Sequence, residues 1–104
     1  MEQRPYDYEF TPLAKQDIEE IFEYISYTLG SPQAADNLID KIQEAVEKVC
    51  EFPYLRPLLT EKVLRDKGYR MIAVKNFSLF YTARDGTIII HRVLYGRRNY
   101  ENLL

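Results

Sequence analysis

The sequence predicts an α+β fold: an antiparallel sheet in the chain order β-α-α-β-β-β, with an N-terminal α-helical hairpin packed on one face. Three observations predict it. Two amphipathic helical stretches follow one another, each opened by a hydroxyl residue and a proline, Thr11-Pro12 and Ser31-Pro32. Almost no loop separates them, which forces an antiparallel pair. Residues 69–95 then divide at turn residues into three runs rich in β-branched and aromatic side chains.

Each element has its own warrant. YDYEF (6–10) alternates Tyr6, Tyr8 and Phe10 with acids, the pattern of a half-buried strand. In the first helix Ala14, Ile18, Ile21, Ile25 and Leu29 recur every three or four residues, and Gly30 closes it. The second carries Ala35, Leu38, Ile42, Ala45 and Val49, widened by Ile39 and Val46, and ends at Pro53. Residues 53–68 hold two prolines and read as an ordered loop whose Leu55, Leu58 and Leu59 tuck under the core edge. YRMIAVK (69–75) and FSLFYTA (77–83) meet at Asn76, which tolerates left-handed turns. Asp85-Gly86 is a hairpin signal, and TIIIHRVLY (87–95), the most apolar run, is placed centrally. Alternation along it puts Ile88, Ile90 and Leu94 on one face and Ile89, Val93 and Tyr95 on the other. The helices cover only one, so the second face either stays partly open for a partner or is buried within a small twisted sheet.

The 104 residues make one domain, 1–104, with 46% apolar and 29% charged content. No apolar run approaches the ~20 residues of a membrane span, so no membrane partner is expected and the expected location is cytoplasmic. One cysteine, Cys50, and one histidine, His91, exclude an internal disulfide and a His/Cys zinc site within the chain. No metal and no cofactor are expected, and no GxGxxG, Walker or GxSxG motif is present. The net charge of −2 hides a split: residues 1–51 carry four Lys or Arg against twelve acids, residues 52–104 ten against four. A basic C-terminal half points to an acidic or polyanionic partner.

The chemistry-bearing residues lie in that half. Arg92, Arg97 and Arg98 come from the last strand and its exit, interleaved with Tyr95 and Tyr100. Arg70 and Lys75 bracket a neighbouring strand. Arginine forks grip phosphate and tyrosine rings stack on bases, a combination suited to single-stranded RNA. RNA cleavage through its own 2′-hydroxyl requires proton transfer and stabilisation of negative charge but no metal. An unperturbed histidine titrates near neutrality, so His91 is either a proton shuttle or a structural strand residue, and Tyr81, Tyr95 or Tyr100 qualify where nearby cations favour the phenolate. For Arg92 and Arg70 the alternative is an ion pair with an acid of the helical hairpin, and for Arg97 and Arg98 a solvated terminus.

Four phrases in this order, YEFTPLAKQDIEEIFEYI, SPQAADNLIDKIQEAVEKVCEFP, GYRMIAVKNFSLFYTA and TIIIHRVLYGRRNYENLL, resemble the RelE/ParE superfamily, the toxins of type II toxin–antitoxin modules. The resemblance runs from about Tyr8 onward. It implies a growth-inhibiting toxin wrapped by the C-terminal amphipathic segment of a cognate antitoxin, with operator DNA reached only through that antitoxin. RelE-like members cut mRNA on the ribosome, and ParE-like members poison DNA gyrase. The hairpin with PQAAD looks ParE-like, and Ser78 stands where RelE-like nucleases carry an arginine. Arg98 matches the arginine those nucleases carry after the last strand, and Arg70 falls where both branches are frequently basic. The expected activity is a metal-independent endoribonuclease acting on ribosomal mRNA. Arg70, Arg98, His91 and Tyr100 would be catalytic, and Arg92, Arg97, Lys75 and Tyr95 would bind RNA. Gyrase inhibition is the alternative, and a non-toxic interaction domain is the third reading.

Overall fold

A computed structural model describes residues 6–97 and 99–104. The elements are β1 (Asp7–Phe10), α1 (Pro12–Glu23) continuing as a π-helical turn (Tyr24–Thr28), α2 (Pro32–Glu51), α3 (Lys62–Asp66), β2 (Arg70–Val74), β3 (Phe77–Arg84), β4 (Thr87–Tyr95) and α4 (Tyr100–Leu103). The chain is α+β, as the sequence predicts.

Both helix starts follow their sequence signals. Thr11 Oγ1 accepts the Ala14 N–H at 3.1 Å, and Ser31 Oγ accepts that of Ala34 at 3.3 Å. Thr11 also ties α1 to the sheet: its hydroxyl donates to the His91 carbonyl at 2.9 Å and its N–H to that of Ile90 at 3.0 Å. The end of α1 departs from the expected periodicity. A π-turn, with the Leu29 N–H on the Tyr24 carbonyl, inserts one residue into the helical repeat. The apolar stripe is thereby rotated, so that Ser26 is buried and Leu29, predicted inside, is exposed.

The strand order is β1-β4-β3-β2, which places β4 and β3 centrally. The sheet is antiparallel except at β1 and β4, which pair in parallel with Asp7 opposite Thr87 and Phe10 opposite Ile90. An entirely antiparallel sheet was expected, and the helical hairpin explains the difference. α1 continues in the direction of β1 along β4, where Asp17 meets Val93, and α2 returns the chain to the end where β1 began. There the Tyr6 and Tyr54 hydroxyls meet at 2.7 Å. β2 begins level with Ile90 and runs up, β3 runs down and β4 up, which aligns β4 with β1.

A bulge interrupts β3–β4: Tyr81 pairs with Ile90 but Phe80 pairs with Arg92, leaving His91 as the extra residue. This reverses the expected facing beyond it. Ile88, Ile90 and Val93 join Leu38, Ile42, Val46 and Val49 of α2 in the helix-side core, while Leu94 faces the other way. The second face is not open. Leu59, Leu64, Tyr69, Phe80, Leu94 and Tyr100 form a second core there, flanked by Met71 and Leu104. Residues 53–68, read as a loop, contain α3, and α4 was not anticipated from sequence. Of the three leucines expected to tuck inward only Leu59 does; Leu55 and Leu58 are exposed.

Candidate functional site

The C-terminal exit gathers part of the predicted set. Gly96, at φ +60, takes a left-handed turn that suits glycine, and its N–H donates to the Asn76 carbonyl at 2.7 Å. That bond fixes the exit of β4 beside the β2–β3 turn, so Tyr95, Arg97 and Lys75 share one end of the sheet. Lys75 and Arg97 are exposed. The Tyr95 ring packs edge-on against Phe77, with centroids 5.5 Å apart. Arg98 lies outside the described residues.

Arg97 reaches back over the Tyr100 ring, its guanidinium carbon 5.9 Å from the centroid. Tyr100 is buried, stacks on Phe80 with centroids 5.0 Å apart, and donates its hydroxyl to Glu61 Oε2 at 2.6 Å. The hydrogen bond pushes the Tyr100 phenol above its usual range, with burial and the Glu61 charge acting the same way against Arg97. The same bond holds the Glu61 carboxyl below its usual range. Tyr100 is therefore a neutral donor near neutrality, and the phenolate needed for a base is disfavoured.

This bond makes a pH prediction. The carboxylate contribution is present above the unfolded Glu pKa of ~4.3 and is lost as pH falls through the lowered folded value. The phenol contribution is present below the unfolded Tyr pKa of ~10 and is lost as pH rises through the raised folded value. Urea midpoints of wild type minus Tyr100→Phe should be flat between those limits and shrink at both ends. A difference independent of pH would contradict the bond.

Arg92 is held inside the molecule. Its Nε and Nη2 grip Asp17 Oδ2 and Oδ1, each at 2.8 Å, and Nη1 donates to the Leu103 carbonyl at 3.3 Å. Asp17 Oδ2 also accepts the Val93 N–H at 2.9 Å, taking the place of the strand that β1 is too short to supply. The two side chains retain only 16% and 10% exposure. The ion-pair alternative for Arg92 is the observed arrangement. His91, half-buried by its bulge, places Nε2 2.9 Å from Thr82 Oγ1 and lies edge-on to Tyr69 with centroids 4.8 Å apart. Burial lowers its pKa, so the ring is neutral at neutral pH.

Arg70 stands at the opposite end of β2 from Lys75, roughly 15 Å away at ~3.3 Å per residue. It pairs with no hairpin acid. Its Nη1 donates to the Arg56 carbonyl, and its guanidinium lies over the Tyr54 ring at 5.1 Å. The predicted residues thus divide among an exit cluster, a buried ion pair, a half-buried histidine and a separate arginine.

The partners Asp17, Glu61, Tyr54 and Arg56 were not singled out from sequence. Only Asp17 left a signal: an acid between Ala14 and Ile18, on the stripe that faces the core. Among the described residues no three His, Cys, Asp or Glu side chains gather to hold a metal ion. No helix there is long and apolar enough to cross a membrane.

Known proteins bear on this geometry as follows. A solved structure described as the chromosomal ParDE TA system from P. aeruginosa has the same fold, with a TM-score of 0.72 over 91% of this chain and 100% of that one, at 18% identity. No curated protein sequence matches the chain. The family model described as the ParE toxin of the type II toxin–antitoxin system, parDE, matches residues 8–100. That span takes in α1, α2, all of the sheet but its first residue, and the exit turn, and on it the chain belongs to the ParE toxin family.

Proposed function

We propose that this chain is the growth-inhibiting toxin of a two-gene module, neutralised by a cognate antitoxin, and that free toxin acts by binding DNA gyrase rather than by cutting mRNA. The observation that carries the choice is the engagement of the groups a nuclease would need. Arg92 is clamped by Asp17, the Tyr100 phenol is bound to Glu61, and Arg70 stands apart from the exit cluster. A general acid–base pair must face one phosphate together. Side chains fixed at separate places favour action by surface contact instead.

The ribosomal mRNA reading draws on one feature: Lys75, Tyr95 and Arg97 share an end of the sheet, a basic and aromatic edge able to meet a phosphate backbone. Induction in cells separates the two. We expect growth arrest, relief on co-expression of the adjacent antitoxin gene, trapped gyrase–DNA complexes and intact transcripts. Codon-positioned mRNA ends with normal supercoiling would overturn the gyrase reading. Unimpaired growth at full expression would reject toxicity.

A further inference from the structure

The exit of β4 sets two exposed cations next to each other. The Gly96 N–H bonds the Asn76 carbonyl at 2.7 Å, and the residues flanking that bond are Lys75 before Asn76 and Arg97 after Gly96. At ~3.8 Å between successive Cα atoms, those of Lys75 and Arg97 stand within roughly 14 Å of each other. Neither residue belongs to the ion pairs among the described residues, which are Lys41–Glu44, Lys62–Asp66 and Arg92–Asp17. Glu61, whose carboxyl the Arg97 charge helps to hold low, is engaged by the Tyr100 hydroxyl instead. Lys75 also takes the left-handed position of the β2–β3 turn, at φ +55, although an asparagine such as its neighbour Asn76 suits that conformation better. The strain is small, and it sets a cation at the tip of the turn. Like charges held together repel, and an anion bound between them relieves that repulsion.

The aromatic side chains decide which anion fits. A single strand is gripped by successive open aromatic faces. Tyr100 offers none: it is buried, with Phe80 stacked on its ring and Arg97 over it. Only Tyr95 remains, 54% exposed and already packed edge-on with Phe77. Its hydroxyl can donate to a phosphate oxygen, as lysine and arginine do. Two cations and one hydroxyl, without a stacking platform, match the backbone of a duplex, whose phosphates are met without unstacking a base.

We propose that Lys75, Tyr95 and Arg97 form a contact for the phosphate backbone of duplex DNA. The proposal deepens the gyrase reading and rests on it for the source of the duplex, a DNA segment held by that enzyme.

The test titrates the isotope-labelled full chain, at low salt, with a short DNA duplex of mixed sequence. A single-stranded RNA of equal length and a polyglutamate peptide are titrated alongside, all followed by NMR. The duplex should give the largest shifts, at the amides of Lys75, Tyr95 and Arg97, fading as salt rises. Lys75→Gln combined with Arg97→Gln should remove them at an unchanged urea midpoint, because both side chains are exposed. In parallel, wild type and this variant are given to gyrase with supercoiled plasmid. The variant should require about tenfold more toxin, or higher, for equal plasmid breakage, the loss expected of a charge-assisted contact. Absent duplex shifts, larger shifts with RNA, or equal shifts with the peptide would overturn the contact. Breakage by wild type that the variant matches would overturn it too, and would leave the gyrase reading standing. Duplex shifts at these residues without any plasmid breakage by wild type would reject the gyrase reading alone.

Discussion

Replacing Asp17 by alanine should cost about 3–5 kcal/mol of folding stability, the range for removing one partner of a buried ion pair. The substitution strands the Arg92 guanidinium and leaves the Val93 N–H without its acceptor. A lower urea midpoint at unchanged slope would report it. Two companion variants separate the causes. Asp17→Asn keeps an oxygen for Val93 and should lose less. Asp17→Ala combined with Arg92→Met should recover part of the loss, because no unpaired charge then remains buried. If Asp17→Ala costs no more than an exposed substitution, Arg92 is not held as described.

Phe80→Ala should cost a comparable amount, about 3–5 kcal/mol, because a fully buried ring leaves a cavity. Phe80 is 0% exposed and carries the stack with Tyr100. The loss should be felt unevenly. Amides of α3 and α4, which rest on this second core, should exchange faster by local opening, while those of α2 follow only global unfolding. Leu79→Ala, one residue away on the helix side, should lower stability without that selective opening. Equal effects of the two on α4 would mean that the second face is not an independent core.

These two sites mark where the sequence stops being legible. The helix starts could be read because their signals are local: a hydroxyl residue, a proline and the apolar stripe stand within a few residues of each other. The turn at Asp85-Gly86 was legible for the same reason, and both residues adopt positive φ. The bulge at His91 was not. In IIIHRVL nearly every position is apolar or long, so no polar alternation reports a slip, and one extra residue exchanges the faces beyond it. With Leu94 moved to it, the second face became a core of its own. It is closed by short segments after Pro57 and after Gly96, which have too few turns to show periodicity.

The site was less legible than the fold. Arginines and tyrosines were visible as a crowd, but their roles depend on partners distant in sequence, such as Asp17 for Arg92 and Glu61 for Tyr100. The basic excess of the second half is therefore not a single patch. One arginine is consumed inside, and Arg70, level with Ile90 in mid-sheet, stands apart from Arg97 at the exit of β4. That division underlies the preference for action through contact over cleavage.

Purified toxin, free of antitoxin, tests this directly when given to DNA gyrase with supercoiled plasmid and, in parallel, to ribosomes translating a defined mRNA. The account predicts protein-linked, broken plasmid DNA and full-length mRNA. Plasmid left unbroken, with mRNA cut within the ribosome, would contradict it.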